Sequence, residues 1–477
     1  MRVASPQTIG IIVTAKRLIR MANYATHLLG QTVFYTLATL GLIRCIINGL
    51  IHGGKPLNRQ QKDHLATARQ SFWDLSKQPI PGFDHAFMKL RNGRKLHYIH
   101  NQHAVAEPKS LIIFFHGFPD SCVMWRHIVS HKTMPKNSIM ICVDLPGYGG
   151  SDSFDTYDTS VLETLCEFCI SIQGIFHAKR LKTLLVAHDW GCNLAIRLAT
   201  EAPSVADHFV LMNGLFTDLA IENFTRHVEM LRGHLSQLRL WRSFQVSGLL
   251  VCQIWQLAYI FTFDLSEKIV GHFIGAWNEM AVLRGLVRMA NNRNFDFDFV
   301  QAMAASLGPT ECDAETKTTV HSESYGSTVK QRARSPAALL WQMTGLYRNG
   351  VLRGTWLKSK EILESMREIR NQPHTASPPG AETNQSRLQV PATVIWGIRD
   401  HVLMPEICLD NVHRYLAPGS EVISLPRTGH WVPVETESIR VILQVLRYHT
   451  DSHRQEDRLS QDALNGRYKD ARLVIRT

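Results

Sequence analysis

Six short apolar runs constrain this chain more than anything else in it. They are SLIIFF (110–115), SIMICVD (138–144), TLLVA (183–187), HFVLMN (208–213), ATVIWG (392–397) and EVISLP (421–426). Each has the length of a strand and none alternates with polar residues, so both faces of each must be covered. The segments between them are too long for hairpin turns, and most carry helical periodicity. Strands joined by helical crossovers pair in parallel, which predicts an α/β fold with a mainly parallel sheet between helices. FMKLRNGRKLHYIH (87–100) reads differently, as a hairpin with a type I′ turn at Asn92-Gly93. In such a sheet, residues just past the carboxyl ends of the parallel strands share one edge, where ligands bind.

The rhythm breaks near residue 216, which divides the chain. Residues 217–305 are helical in pattern and rich in aromatics, and helical patterning returns in PAALLWQMTGLYRNGVL (336–352). Between them GPTECDAETKTTVHSESYGSTVKQRARS (308–335) is polar and predicts a flexible insertion. NQPHTASPPGAETNQS, ending at 386, is a second loose stretch. The arrangement expected is a core over 85–215 and 389–448 interrupted by a helical cap over 216–388. A polar connector (53–84) precedes the core and a polar tail (449–477) follows it. With 477 residues, 45% of them hydrophobic, the chain is long enough for both units.

Residues 1–52 predict a basic segment with a membrane anchor. ATHLLGQTVFYTLATLGLI (25–43) holds no formal charge and is close to the length needed to span a bilayer. It begins late and lacks a small-x-small cleavage site, unlike a secretory signal. Basic residues lie on both sides of it, so the positive-inside rule does not orient it. The net charge of +11 comes from dispersed Lys and Arg with no nucleic-acid motif, which favours an anionic membrane surface over a nucleic acid as partner. The nine cysteines are scattered. Cys166 and Cys169 form a CxxC within an amphipathic helical pattern without a second ligand pair, and read as packing residues; no metal is expected. Asn223 and Asn384 begin sequons of a kind that chance readily supplies.

Four pieces fall just after predicted strands and so converge on one edge. HGFPD (116–120) follows SLIIFF, Asp189 ends TLLVAHD, Asp400 follows ATVIWG in WGIRD, and His430 follows EVISLP in RTGHW. Each has a bland reading: Asp189 or Asp400 as a helix N-cap, His430 as a turn histidine. Together they follow the order nucleophile, acid, histidine, on a strand–turn–helix elbow whose tip is Asp189 where a serine would be usual. GxSxG does not occur in the chain.

HGFPDSCVMWR, DLPGYGGSD, HDWG, WGIRD and GHW together resemble the epoxide hydrolases of the α/β-hydrolase superfamily, over about residues 85–448. The apolar N-terminus is similar to that of the animal members with a single N-terminal anchor; their microsomal relatives carry a different motif in place of HGFP. The resemblance implies an α/β-hydrolase fold with an inserted cap, in a membrane such as the endoplasmic reticulum. It also implies hydrolysis of lipophilic epoxides to vicinal diols by water, without cofactor or metal. An epoxide carbon is saturated, and a carboxylate, already anionic at neutral pH, can displace its oxygen from behind. Asp189 is then the nucleophile, and His430 with Asp400 activates the water that cleaves the resulting ester. The backbone N–H groups of Phe118 and Trp190 are the expected oxyanion donors. Tyr347, in LYRNG, corresponds to the second cap tyrosine that faces the epoxide oxygen. His116, Gly117, Pro119, Trp255 and Tyr259 are expected at the substrate pocket.

The sequence departs from the family in several places. Val251 stands where the first cap tyrosine belongs, with Gln253 and Tyr259 as local choices out of register, and Ala258 replaces a proline. Cys192 replaces a glycine, and NGLF (213–216) replaces Asn-x-Pro-His. Two alternatives stay open: a haloalkane dehalogenase-like hydrolase, and a weakly active or inactive hydrolase-fold protein that binds lipids or partners.

Overall fold

The computed structural model describes residues 6–51, 56–176, 181–275, 281–290, 298–370, 387–451 and 472–476. The six apolar runs form β3 (Ser110–Phe115), β4 (Ser138–Val143), β5 (Lys182–His188), β6 (His208–Met212), β7 (Ala392–Gly397) and β8 (Glu421–Leu425). They are joined by β1 (Asp84–Lys89), β2 (Lys95–His100) and β9 (Arg472–Arg476) in one sheet of order β1-β2-β4-β3-β5-β6-β7-β8-β9. Pairing from β4 through β8 is parallel, while β1–β2, β2–β4 and β8–β9 are antiparallel. Every residue of β3, β4, β6 and β7 is buried, as unalternating apolar runs require.

Helices cover both faces. In chain order they begin with α1 (Pro6–Ile51), α2 (Arg59–Trp73), α3 (Arg126–Val129), α4 (Ser160–Phe176) and α5 (Trp190–Glu201). Between β6 and β7 lie α6 (Thr217–Ser236), α7 (Leu240–Phe263), α8 (Ala281–Ala290), α9 (Phe299–Leu307), α10 (Ser327–Arg334), α11 (Pro336–Met343) and α12 (Lys360–Arg370). The short α13 (Pro405–Cys408) and α14 (Thr436–Thr450) complete the set among the described residues. Cys166 and Cys169 are buried free thiols on α4, in the packing role expected of them. β4 pairs on one side of β3 and β5 on the other, so the connection after β4 crosses back over β3 and the strand order reverses at this point. The crevice such a switch opens is bounded by the HGFP loop after β3 and by the elbow after β5.

Two expectations need correction, the type of the β1–β2 turn and the looseness of residues 308–335. The expected connector carries a helix: Asn58 and Gln61 form a reciprocal capping box that starts α2, and Trp73 at its end is fully buried, donating from Nε1 to the Ala304 carbonyl at 2.9 Å. The β1–β2 turn is not type I′, because Gly93 has positive φ (80°) and Asn92 does not; Gly93 N–H donates to Leu90 O and Leu90 N–H to Arg94 O, a turn closed by a glycine bulge. Residues 308–335 are packed rather than loose. Arg332 of α10 is buried and donates to Gln342 and to the carbonyls of Tyr148, Gly149 and Ser151, so the polar residues that suggested disorder serve as internal ties. The polar tail contributes edge strand β9. The stretch 371–386, with Asn384, lies outside the described residues. Asn223 is buried, its amide donating to the carbonyls of Ile407 and Asp410, which leaves that sequon inaccessible in the folded chain.

Candidate active site

Asp189 sits between the last residue of β5 and the first of α5, at φ 51° and ψ −119°, a conformation L-residues rarely adopt. Its neighbours explain how the turn closes. A Cβ at Gly191 would stand 2.5 Å from the carbonyl oxygens of Phe115 and His116, and one at Gly117 would stand 2.5 Å from Asp189 Cβ. The Asp189 side chain caps no helix N–H. It turns instead toward the HGFP loop, where the backbone N–H of Phe118 donates to Oδ1 at 2.9 Å.

The HGFP loop is held from beneath. His116 is fully buried; Leu145 N–H donates to Nε2 at 3.0 Å, which leaves Nδ1 to donate to the Gly117 carbonyl at 2.8 Å. Burial keeps this imidazole neutral by pulling its pKa down. Asp144, just after β4, accepts from the N–H groups of Cys122 and Gly150 and bonds His97 Nδ1 at 2.7 Å. Gly149 leaves no room for a Cβ against that carboxylate. The DLPGYGG segment thus braces the loop that carries Phe118. The Phe118–Pro119 peptide is cis.

His430 lies between two carboxylates. Its Nδ1 is 2.8 Å from Asp400 Oδ2, and its Nε2 is 3.7 Å from Asp189 Oδ2. Asp400 does not act as a helix cap; Val402 and Leu403 N–H donate to Oδ1, and Asn213 Nδ2 donates to Oδ2 at 2.6 Å. Burial raises the pKa of Asp400, but His430 and these donors outweigh it and hold the group below the usual carboxylate range. Asp189 is lowered in the same way: burial opposes ionisation, while His430 and Phe118 N–H favour it more. For His430, burial lowers the pKa, and the charges of Asp400 and Asp189 overcome this and raise it.

Above Asp189 the aromatic rings form a wall. Tyr347 meets Trp190 at a ring distance of 4.8 Å, Phe263 at 5.2 Å, Phe118 at 5.5 Å and Tyr259 at 5.8 Å, each edge to face. The Tyr347 ring is thus held between the Trp190 indole on one contact and the Tyr259 ring on another. Burial pushes the Tyr347 phenol well above its ordinary pKa, so it stays protonated and able to donate.

The predicted residues are therefore brought together unequally. Asp189, Phe118, Trp190, Asp400, His430, Tyr347 and Tyr259 meet at one site, with Gly117 against the nucleophile-like Asp189. His116 does not line a pocket, because it lies under the loop with both nitrogens committed. Trp255 is on the surface of α7, one turn before Tyr259 on the same side of the helix, rather than enclosed. Gln253, the other local choice for the missing tyrosine, turns away. It donates to Val402 O at 3.0 Å and accepts from Met404 N–H at 2.9 Å, fixing the loop behind Asp400.

Sequence reasoning missed three supporting residues. Asn213 clamps Gly397 as well as Asp400; NGLF marked its place only by its likeness to Asn-x-Pro-His. Gly214 packs directly on Cys192, so the side chain that Cys192 adds in place of the family's glycine is accommodated by a residue without one. His188 Nε2 bonds the His430 carbonyl at 2.8 Å, and nothing in its sequence position signalled that.

Among curated proteins, mouse epoxide hydrolase 3 is 26% identical over 212 residues, 43% of this chain and 55% of that one. Epoxide hydrolase 1 of Caenorhabditis elegans is 29% identical over 135 residues, 28% of this chain and 31% of that one. The chain thus spans about half or less of the length of these relatives. Among solved structures, the crystal structure of aCif-D158S superposes with a TM-score of 0.50 at 14% identity, covering 83% of this chain and 98% of that chain, a likeness of fold alone. The Alpha/beta hydrolase family profile matches residues 112–441, from β3 into α14, and includes every strand that bears a residue of the site. With that span matched and the elbow at its centre, this chain belongs to the Alpha/beta hydrolase family.

Proposed function

We propose that the protein is an epoxide hydrolase that opens lipophilic epoxides to vicinal diols through an ester on Asp189. The observation that carries this reading is the division of labour at the Asp189 carboxylate. Oδ1 accepts from the Phe118 N–H, Oδ2 stands toward His430, and Tyr347, with Tyr259 against it, packs on Phe118 and Trp190, the residues that flank this carboxylate. The names of the curated relatives point the same way.

In the first step Asp189 Oδ2 attacks an epoxide carbon, the C–O bond of the ring breaks, and the departing oxygen takes a proton from Tyr347 or Tyr259. No base is needed, because Asp189 is already ionised. The ester removes the Asp189 charge. His430 then loses one of the two charges that raise its pKa, and its imidazolium can return a proton to the phenolate left by the first step and so become a base. Water, deprotonated by His430, adds to Cγ of Asp189. The oxyanion forms at Oδ1, where the Phe118 N–H already sits and the Trp190 N–H is the expected second donor. Collapse breaks the Cγ–Oδ2 bond; the leaving alkoxide takes the proton of the hydroxyl that water brought, which releases the diol carrying Oδ2 and leaves Asp189 a carboxylate holding the water oxygen and His430 an imidazolium.

The test is a single turnover with a lipophilic epoxide, followed by mass spectrometry of the peptide containing Asp189. A His430→Gln variant should trap an ester there, and heavy-oxygen water should label that aspartate before it labels the diol. Neither ester nor diol across a broad epoxide panel, with no effect of Asp189→Ala, would reject the proposal. Membrane attachment through α1 is part of the same reading: Leu29–Ile51 is a helical span of 23 apolar-rich residues, long enough to cross a bilayer.

A further inference from the structure

The expected anchor is not a free-standing helix. Phe34 meets Phe261 of α7 ring to ring at 6.1 Å, Thr262 Oγ1 donates to Ala38 O at 2.8 Å, and Gly41 leaves no room for a Cβ against the Ala258 carbonyl. Arg44, the one formal charge in the span, is buried and donates to the carbonyls of Trp255 and Gln256. Gly285 of α8 closes against the Asn48 carbonyl. One side of α1 is thus committed to the protein over three turns, and α7 runs antiparallel beside it.

The opposite side of α1 carries an exposed apolar stripe: Leu29, Val33, Leu40, Ile43, Ile47 and Leu50. α7 continues it. Leu240, Trp241, Phe244 and Val251 lie on one side of that helix, with Trp241, Phe244 and Val251 exposed at 70%, 69% and 65%. Such a continuous exposed apolar surface is unusual on a chain surrounded by water. Arg232, Arg239 and Arg242 are exposed around its α6–α7 end, beside Trp241, a combination suited to the headgroup level of an anionic leaflet. Along the same side, exposure falls from Val251 through Trp255 (39%) to Tyr259, which touches Tyr347.

We infer that α1 and α7 together form a lipid-docking face, so that the helical insertion rests in one leaflet and receives apolar substrates from the bilayer along the Val251–Trp255–Tyr259 stripe. This rests on the membrane and epoxide readings above and extends them from a tether to a surface of the insertion itself. The occupant is an anionic phospholipid bilayer. A lone spanning helix would show lipid on all sides; this one shows it on one.

The full chain is reconstituted with vesicles of phosphatidylcholine and phosphatidylserine, with and without brominated acyl chains. Brominated lipid should quench tryptophan emission in the wild type, and Trp241→Phe should remove part of that quenching. A variant carrying Leu240→Ser, Trp241→Ser and Phe244→Ser, all at exposed positions, should lose about tenfold or more of its turnover of an epoxide dissolved in the vesicles. Its turnover of a water-soluble epoxide should stay within about twofold of the wild type, since no group at the site is touched. Quenching indifferent to Trp241, with vesicle turnover unchanged, overturns the inference. So does a change from dimer to monomer in the variant at unchanged quenching, which would assign the face to a second copy. If wild-type chain floats with vesicles but turns over no epoxide, the chemical proposal fails while the Trp241 quenching still decides the docking.

Discussion

Tyr259 packs edge to face against Tyr347, with their rings 5.8 Å apart, although Tyr259 stands eight residues past the position where the family carries its first cap tyrosine. A second phenol therefore stands beside Tyr347 despite the valine at 251. If both donate to the departing oxygen, Tyr347→Phe and Tyr259→Phe should each raise the barrier to ester formation by about 1–3 kcal/mol, seen as a fall in the rate of the first step. The double variant should be slower than either. Stopped-flow single turnover checks this, and an unaffected first step in Tyr259→Phe would remove Tyr259 from the chemistry.

Gln253 offers a contrast, since it acts on the site only through the 402–404 backbone. Gln253→Met keeps the side-chain length but leaves Val402 O and Met404 N–H without their partner, at about 1–3 kcal/mol each if they stay dry. The expected kinetic signature is selective. Ester hydrolysis, which needs Asp400 to steady His430, should slow more than ester formation, so that covalent enzyme accumulates. A general loss of stability would slow neither step in the fraction that remains folded.

The three charged groups make stability depend on pH in a definite direction. Burial lowers the His430 pKa, but Asp400 and Asp189 bring it up to about 10. Its contribution is then fully present below the unfolded value of about 6.5 and is lost as pH rises through the folded one. Asp189 and Asp400 are lowered, so theirs is present above about pH 4 and is lost only as pH falls through their lower folded values. Denaturant titrations of wild type and His430→Gln should therefore differ most near neutral and mildly acidic pH. The gap should narrow between about pH 6.5 and 10.

Arg332 should matter to folding rather than to chemistry. Its guanidinium ties α10 to the loop after β4 and to Gln342 of α11, out of contact with water. Arg332→Met leaves three backbone carbonyls and an amide oxygen short of a donor, and should destabilise the chain by about 2–4 kcal/mol. A lowered midpoint in urea checks this. An unchanged midpoint would mean that the segment 308–335 contributes little to the folded state.

The parallel sheet was readable because a strand buried on both faces must be apolar throughout, a property of composition that survives without coordinates. The positions of Asp189, Asp400 and His430 were readable for a related reason: the ends of such strands converge whatever the intervening helices do. Polar segments misled. The residues of α2 and those around Arg332 include few aliphatics, and local composition cannot tell a solvated charge from one satisfied by carbonyls far away in sequence, as Arg69 and Arg332 are.

The insertion between β6 and β7 was the part that motif and register could not place. A tyrosine on a helix serves a site only if the helix is rotated so that it faces inward, and that rotation is a property of neighbours. On α7 it is set by Ala258 and Thr262 lying on α1 and by Gln253 gripping the loop behind Asp400. With those two faces held, Tyr259 is the residue left pointing at Tyr347, and Val251 is left in the open. The order of the chain decided which chemistry groups end strands. Packing between elements distant in that order decided which phenols meet them, because helix phase is fixed by contact and not by spacing.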